Sequence, residues 1–372
     1  MEKTRSLILN ESRRKFIKNT AALSTALFIP PVIGRAQASM QINVMSQDAF
    51  IPKDVRDKFT AETGIAVNFR QGISDIGQVF NLLATEAENP ETDLIVAGGH
   101  RMYSYIVADM LQPLDEARLP GLAAINPMYL DHPSQFIDGK RYGIPVMIGF
   151  YIMASRAPVV SQADTETWAS VFEDTYAGRC TLRPGSALYA AMFYKGLQDT
   201  WFNYSGDIAS IEAMFEECLA FVNERKHVLR KWYEQAAELQ QLFVSNEVDI
   251  GQGMNEGVMR MVKADPTIQR GIPKEGAIGY SLNYAIPKAA PNEEAVYTFV
   301  NYLLSDPGIA GSMIRSSGNL STFTNGTAGL DEADQKLYHF SDDELSRIGL
   351  LDTKGADDTR YEILDKYTAQ IV

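Results

Sequence analysis

The chain is poor in cysteine and histidine. Its 372 residues include two cysteines, Cys180 and Cys218, and four histidines. The cysteine spacing matches no metal-binding pattern such as Cys-x-x-Cys, and no histidine cluster accompanies it. We therefore predict no metal site and no cofactor. The two thiols can pair in an oxidising compartment or stay buried and free, and the sequence leaves both alternatives open.

The chain also lacks a hydrophobic run near its N-terminus that is long enough to cross a membrane, which takes about 20 residues. The apolar stretch 21–33 is too short, and it follows the segment 12–18 (SRRKFIK). Two adjacent arginines followed by an apolar pair and a lysine form the pattern of twin-arginine export signals. Small residues ending at Ala38 indicate cleavage there. We predict that residues 1–38 are a signal peptide for the twin-arginine translocase, and that the mature protein works in the periplasm.

The chain has fewer basic than acidic residues. The chain has 34 Lys and Arg against 47 Asp and Glu, a formal net charge of −13. Subtracting the seven basic and two acidic residues of the predicted signal peptide leaves 27 against 45, or −18. This balance argues against binding to nucleic acid, which depends on clustered Lys and Arg, and disfavours adsorption to anionic membranes. It favours a self-repelling protein, which we expect to be a monomer.

Strands alternate with helices along the mature chain. Extended apolar segments are predicted at 42–45, 65–69 and 93–96, with helices at 53–62 and 76–86 between them. The alternation returns later, with strands predicted at 180–182, 228–233 and 248–251, and helices at 187–197, 211–224, 235–244 and 258–263. Such alternation predicts an α/β fold with largely parallel pairing.

Two extended segments, 141–152 and 279–287, interrupt this alternation. We interpret them as crossings between two α/β lobes, which create a cleft with a hinge. Clefts at the carboxyl ends of sheet strands are where small ligands bind in such folds. The predicted lobes are residues 39–148 plus 279–325, and residues 149–278 plus 326–372.

Several short segments occur in a specific order between about residues 42 and 325. They are 58–65 (KFTAETGI), 92–96 (TDLIV), 110–115 (MLQPLD), 142–145 (YGIP), 167–169 (TWA), Gly251 with Asn255, 273–276 (PKEG) and 285–287 (AIP). With this order and spacing, the chain resembles the periplasmic solute-binding proteins of ABC importers, most of all the branch that binds spermidine and putrescine.

The resemblance implies a type II periplasmic-binding fold, in which two lobes, each a mainly parallel sheet flanked by helices, are joined by discontinuous crossings. Such proteins close on a small solute and deliver it to an ABC permease in the inner membrane. The resemblance implies no catalytic residues.

The resemblance also indicates where ligand contacts occur. Polyamine binders place aromatic and polar residues after the first strand, where this chain has Gln47, Asp48 and Phe50. After the third strand, backbone N–H groups at the start of a helix suit an anionic or carbonyl group. The remaining candidates are Gly98, Gly99, His100, Arg183, Asn255, Glu256, Tyr280, Tyr284 and Asn319. For three of them a structural role is also open: Arg183 as a surface or hinge residue, Asn255 as a helix N-cap, and His100 as a loop histidine that hydrogen-bonds its own backbone.

At two positions the chain departs from the polyamine-binding pattern. Arg183 follows a strand where the family supplies acidic residues, and Leu282 stands where it supplies an aspartate. A buried diammonium ligand needs carboxylates near both ends, because an unpaired buried charge costs several kcal/mol. An arginine instead presents a planar fork that suits a carboxylate or phosphonate.

We therefore expect a ligand with an anionic group on Arg183, of the amino-acid, 4-aminobutyrate or opine type. An ammonium on that ligand is expected to meet Asp48 or Glu256. The rings of Phe50, Tyr280 or Tyr284 are expected to add cation–π contacts of about 0.5–2 kcal/mol. A true polyamine binder is the alternative.

Two other classes of protein fit parts of the sequence. An exported enzyme is compatible with the export signal, but the chain contains no Gly-x-Ser-x-Gly, His-Glu-x-x-His or phosphate-loop motif. A sensor subunit that binds ligand without transport is compatible with the same fold.

Overall fold

The computed structural model describes residues 40–73, 77–352 and 359–371. The predicted signal peptide lies outside these ranges, so the export pattern and the cleavage point remain predictions. Within the described ranges, no helix combines the length and apolar character that a membrane span requires.

The described residues form thirteen strands, eleven of which join one mixed sheet. The strands are β1 (Gln41–Met45), β2 (Ala66–Phe69), β3 (Leu94–Gly98), β4 (Phe136–Ile137), β5 (Lys140–Arg141), β6 (Ile144–Arg156), β7 (Cys180–Leu182), β8 (Leu229–Trp232), β9 (Ile250–Met254), β10 (Ile268–Gly271), β11 (Ala277–Ala285), β12 (Leu320–Ser321) and β13 (Ile348–Leu350).

Sixteen α-helices occur in the same ranges. They are α1 (Lys53–Thr63), α2 (Gln78–Ala84), α3 (Met102–Val107), α4 (Pro127–Leu130), α5 (Gln162–Thr165), α6 (Ala169–Phe172), α7 (Pro184–Tyr194), α8 (Gln198–Phe202), α9 (Ile208–Arg225), α10 (Ala236–Val244), α11 (Asn255–Ala264), α12 (Glu293–Leu303), α13 (Pro307–Ser317), α14 (Glu332–Leu337), α15 (Asp342–Ser346) and α16 (Thr359–Thr368).

Two groups of parallel strands lie at the ends of the sheet. In the first half, β1 pairs in parallel with both β2 and β3. In the second half, β7 pairs in parallel with both β8 and β9. Among these strands β3 (LIVAG) is a fully buried apolar run, as expected for a strand covered on both faces, whereas the edge strands β2 and β8 are partly exposed.

The strands β6 and β11, which we call the crossing strands, join the two halves. Residues 144–150 of β6 pair antiparallel with β11, while residues 151–155 pair antiparallel with β9. On its other edge β11 pairs antiparallel with β3. Both predicted segments thus contain long strands that are shared by the two halves of the sheet. Parallel pairing occurs among the outer strands of each half and between β11 and β13.

Most predicted elements are present, with shifted ends. Helix α1 ends where Gly64 adopts a left-handed conformation at φ 75°, which glycine tolerates without steric cost. Pro52 is the N-cap of this helix. Helix α7 begins at Pro184, three residues before the predicted start, because proline at N1 suits a helix start.

Helix α13 is absent from the sequence prediction. It contains Gly308 and Gly311, which lower intrinsic helix propensity. Asp306 caps it by accepting a hydrogen bond from the Gly308 N–H. A Cβ at position 311 would lie 2.7 Å from the carbonyl oxygen of Gly329. Close packing against the Gly329 backbone therefore explains Gly311, which by sequence alone argues against a helix.

Both cysteines lie in the hydrophobic core of the second half. Cys180 opens β7 and Cys218 lies on α9, and each is buried with a free thiol. Burial raises the pKa of both thiols to about 12. A thiol in an apolar environment stays protonated and unreactive. Of the two alternatives left by the sequence, the structure has free thiols.

We predict that neither thiol reacts with a maleimide reagent in the native protein, because the thiolate is disfavoured and shielded. Both should react in denaturant. Intact mass before and after labelling, with and without prior reduction, checks this. A mass gain of two hydrogens on reduction would contradict the free-thiol assignment.

Candidate functional site

A cavity of about 620 Å³ lies between the two halves of the sheet. Three predicted site residues line it, namely Gly98, His100 and Arg183. The other lining residues are Gly77, Phe80, Asn81, Arg101, Ser104, Tyr105, Tyr151, Gly185 and Asp365. The first half contributes the end of β3 and helices α2 and α3. The crossing strand β6 and helices α7 and α16 supply the remaining wall.

A larger groove of about 900 Å³ lies against β1 and β2, but its chemistry does not favour binding. Its polar groups already pair with one another. Arg70 forms an ion pair with Glu86 at 2.8 Å, and the Asn43 N–H donates to Asp93 at 2.8 Å. None of the predicted site residues lines it. We therefore assign the candidate site to the smaller cavity between the halves.

The backbone after β3 fits closely against β11. Gly98 pairs with Leu282 across the strands, and a short 3-10 turn, Gly99–Arg101, follows. A Cβ at position 99 would collide with Ser281 Oγ and would lie 3.2 Å from Asn283 Nδ2. Only glycine allows this approach, which fixes where the next residue, His100, points.

His100 presents an unprotonated ring to the site. Burial, with a smaller effect from the neighbouring Arg101 charge, lowers its pKa to about 3. Its Nδ1 is buried and has no hydrogen-bond partner among the described residues. The ring lies 6.0 Å from that of Tyr280 and 5.7 Å from that of Tyr361, between centroids. His100 is therefore a neutral group with a free nitrogen.

Arg183 supplies the positive charge of the second half. It directly precedes α7, whose first residue is Pro184, and its Nη1 donates to the Tyr151 hydroxyl at 3.5 Å. Its Nε is buried without a hydrogen-bond partner among the described residues. In the part of the chain that the structure describes, no carboxylate forms an ion pair with it. This guanidinium can therefore bind an anion.

Glu256 supplies a negative charge near Arg183. It lies in the first turn of α11, and burial raises its pKa, against smaller opposing effects of a hydrogen bond from its own backbone N–H and of the Arg260 and Arg183 charges. Its Oε2 is buried and has no partner within the described ranges. Its charge also raises the pKa of Tyr151, although burial is the larger cause there. An unpaired buried carboxylate is a suitable acceptor for an ammonium group.

Tyr280 and Asn319 meet above the crossing strand β6. A Cβ at Gly149 would lie 2.5 Å from Tyr280 Cζ and 3.0 Å from Asn319 Oδ1. The Oδ1 of Asn319 is buried and unpaired within the described residues. The pair lies next to the cavity, because the ring of His100, a lining residue, is 6.0 Å from the Tyr280 ring.

The structure places five other predicted residues away from the cavity. Asp48 is exposed and pairs with Arg56 at 2.7 Å, so its charge is already used. Phe50 and Tyr284 are buried in the hydrophobic core, where the Tyr284 hydroxyl is 3.8 Å from a methionine sulfur. Gln47 is partly buried next to Asp48 and does not line the cavity.

Asn255, the fifth of these residues, has a structural role that differs from the N-cap role left open by the sequence. It is the first residue of α11, and Met254 takes the N-cap position. Its Oδ1 accepts from the Phe150 N–H at 2.9 Å, and its Nδ2 donates to the Gly318 carbonyl at 3.1 Å. Both ends of the amide are thus used in tying α11 to β6 and to the end of α13.

Sequence reasoning missed three aromatic residues near the site. Tyr151 contacts Arg183, and Tyr233 donates to the Gln252 carbonyl at 2.8 Å. Burial raises the pKa of both phenols. Tyr361 reaches His100 from α16. Tyr151 lies on a predicted crossing segment and could have been found there, whereas no local pattern connects Tyr361 with residue 100.

The unpaired polar atoms define what the site can do. Arg183 Nε is a donor, Glu256 Oε2 and Asn319 Oδ1 are acceptors, and His100 Nδ1 accepts in one tautomer. Buried polar atoms without partners are costly, and a bound polar solute can satisfy them. Within the described ranges, no group of three His, Cys, Asp or Glu side chains could hold a metal ion. Of the four residues with unpaired atoms, His100 and Arg183 line the cavity, whereas Glu256 and Asn319 are not among its lining residues. The unpaired atoms of His100 and Arg183 suit a small polar solute.

Comparison with known proteins gives the class of protein. Residues 54–333 match the family model described as bacterial extracellular solute-binding protein. The chain belongs to this family, whose members bind solutes and do not catalyse a reaction. The predicted family and the prediction of no enzymatic activity are thereby confirmed.

Two similar proteins indicate the branch of the family to which the chain is related. Spermidine/putrescine-binding periplasmic protein 1 of Haemophilus influenzae is 26% identical over 270 residues, which cover 72% of each chain. The putrescine-binding periplasmic protein SpuD of Pseudomonas aeruginosa is 26% identical over 314 residues, 78% of this chain and 80% of the relative. The chain is thus a homologue of the polyamine-binding proteins.

Solved structures confirm the predicted fold. The spermidine/putrescine substrate-binding protein PotD of Streptococcus pneumoniae superposes with a TM-score of 0.75 at 19% identity, covering 90% of this chain and 98% of PotD. The Atu4243-GABA receptor superposes with a TM-score of 0.67 at 19% identity, covering 89% of this chain and 98% of the receptor chain. AgtB of A. tumefaciens, in complex with agropinic acid, superposes with a TM-score of 0.63 at 19% identity, covering 89% of this chain and 98% of AgtB.

We predict that Gly99→Ala destabilises the protein by about 1–3 kcal/mol, because its Cβ collides with Ser281 Oγ and the loop must shift. Gly185→Ala is the matched control. Gly185 lines the same cavity, but an added Cβ meets nothing within 4 Å. The control should leave the free energy of unfolding within about 0.5 kcal/mol of the parent. Urea unfolding measures both, and equal effects would contradict the close-packing argument.

Proposed function

We propose that this chain is the substrate-binding subunit of an ABC importer. It captures a small solute between two lobes in the periplasm and delivers it to a permease in the inner membrane. Family membership and homology with polyamine-binding proteins support this role. The proposal includes export through the twin-arginine route, a monomeric mature protein, and lobes formed by residues 39–148 plus 279–325 and by residues 149–278 plus 326–372.

The observation that carries the ligand assignment is Arg183, a partly buried guanidinium without an ionic partner among the described residues. Leaving such a charge unpaired costs several kcal/mol, so a ligand that brings an anion gains that energy on binding. A carboxylate can accept two parallel N–H bonds from the guanidinium. The proposed ligand therefore bears an anionic group.

The ammonium group of the ligand is assigned to Glu256. Of the two carboxylates considered from the sequence, Asp48 is paired with Arg56, which leaves Glu256 with its buried unpaired Oε2. Of the three rings considered, Tyr280 is the one beside His100. A small dipolar solute, of the amino-acid, 4-aminobutyrate or opine type, fits both charges. Two proteins of similar structure are known with ligands of this kind, the Atu4243-GABA receptor with GABA in its name and AgtB in complex with agropinic acid.

A true polyamine binder is the second candidate, because the relatives at 24–26% identity are named for spermidine and putrescine. Against it stand Arg183 and Leu282. Leu282 is buried in the apolar core opposite Gly98, at a position where the resemblance implies a carboxylate. A thermal-shift panel of putrescine, spermidine, 4-aminobutyrate, amino acids and opines separates the two candidates. A ligand at 100 times its dissociation constant adds about 2.7 kcal/mol of stability.

We predict that Arg183→Ala weakens the binding of an anionic ligand by about tenfold to a hundredfold. The loss of charged hydrogen bonds worth about 1.5–3 kcal/mol corresponds to this range. Isothermal titration calorimetry measures it. Arg230→Ala is the control, because Arg230 forms an exposed pair with Glu247 on the surface. If Arg183→Ala leaves the affinity unchanged, or the panel finds polyamines alone, the anion assignment fails.

We predict that affinity for an ammonium-bearing ligand falls as the pH drops toward the pKa of Glu256. Burial raises that pKa above 4.5, so the carboxyl takes up a proton at a higher pH than usual and then no longer attracts an ammonium. Calorimetry over a pH series measures this. Glu256→Gln should bind more weakly at neutral pH and should lose this pH dependence. An unchanged pH dependence in Glu256→Gln would contradict the assignment.

A further inference from the structure

The C-terminal helix α16 contacts both halves of the molecule. It packs against α7 and α9 in the second half. Its Tyr361 also touches the turn Gly99–Arg101, which follows β3 in the first half. The ring of Tyr361 is 3% exposed and therefore lies fully enclosed between these elements.

On the side of the second half, Tyr361 is firmly held. Its hydroxyl donates to the Asp352 carbonyl at 2.8 Å, and its ring meets the Trp201 ring edge-on at 5.4 Å. The preceding Arg360 is a fully buried cation that donates to the Trp201 carbonyl at 3.0 Å and pairs with the Asp352 carboxylate at 3.2 Å. The ring of Tyr361 is therefore attached to the second half.

On the side of the first half, Tyr361 touches the two residues that precede α3. The His100 ring lies 5.7 Å from the Tyr361 ring, and the Arg101 guanidinium lies 5.5 Å above it. Aromatic pairs and cation–π contacts are both favourable at these distances. His100 lines the cavity, while Tyr361 itself does not.

We infer that Tyr361 is a positioning residue that links the lobes when they close. It holds the turn Gly99–Arg101, and with it the unpaired Nδ1 of His100, in the orientation found at the cavity. The inference rests on the proposed function as a closing, solute-binding protein. Because Tyr361 is outside the cavity wall, its effect on binding comes through the population of the closed form.

This role has a signature that differs from that of a ligand contact. When the competent form is populated to a smaller fraction, every ligand loses affinity by the same factor. A contact such as Arg183 instead affects anionic ligands alone. Removing the Tyr361 ring should thus weaken all ligands in parallel, by roughly tenfold if the closed form becomes ten times rarer.

The test compares Tyr361→Leu with Tyr361→Phe. Phenylalanine keeps the ring contacts with His100 and Arg101 and loses the hydroxyl bond to Asp352, whereas leucine loses both. Tyr367→Leu is the matched control, because Tyr367 lies on the same helix and packs against Phe215 in the second half.

Spin labels at Val107→Cys and Val244→Cys report closure, because both positions are exposed and lie in different halves. The native cysteines are buried. Pulsed electron spin resonance is measured without added solute and with saturating 4-aminobutyrate or putrescine, whichever the thermal-shift panel retains. Tyr361→Leu should shift the distance distribution toward longer values, while Tyr361→Phe and Tyr367→Leu should match the parent.

Hydrogen exchange of residues 99–102 is the second readout, and Tyr361→Leu should accelerate it while Tyr361→Phe does not. Unchanged distances and unchanged exchange in Tyr361→Leu would overturn the inference, as would equal effects of Tyr361→Leu and Tyr367→Leu. If no solute in the panel binds while Tyr361→Leu still alters the distances, the proposed ligand class fails and the positioning role stands.

Discussion

The structure depends on two strands that belong to both halves of one sheet. The thirteen-residue strand β6 pairs with β11 through its first part and with β9 through its second, and β11 also pairs with β3. Backbone hydrogen bonds thus run continuously from one half to the other. The loop that follows β3 in the first half and the loop that follows β7 in the second therefore face each other across a cavity. The proposed ligand contacts depend on this arrangement.

The same constraint sets the charges in and beside the cavity, where Arg183 lines the wall and Glu256 lies outside it. Arg183 and Glu256 are both partly buried, yet within the described residues neither has an ionic partner. In a protein selected for stability alone, such charges are paired or replaced by apolar groups. Retaining them is consistent with a site whose partner is a solute, since the energetic cost of each unpaired group becomes binding energy for a complementary ligand.

Sequence patterns located most regular elements, because the hydrophobic periods of strands and helices are local properties. The crossing segments were recognised as well, since each is too long and too apolar for a surface loop. Helix α13 was missed because Gly308 and Gly311 oppose helix formation locally, and Gly311 is explained only by its packing against the backbone of Gly329. Of the predicted site residues, Gly98, His100 and Arg183 line the cavity, whereas Asp48, Phe50 and Tyr284 followed the family pattern but face other surroundings.

The sequence by itself determined the α/β class, the family and the position of the strand-ending loops, because these depend on periodicity and on short motifs that survive at low identity. Only the tertiary structure decided which side chains of those loops face the cavity, that Cys180 and Cys218 stay free, and that Tyr361 meets His100. The reason is physical. Side-chain direction, burial and charge pairing depend on neighbours that are distant along the chain, and no local pattern encodes them.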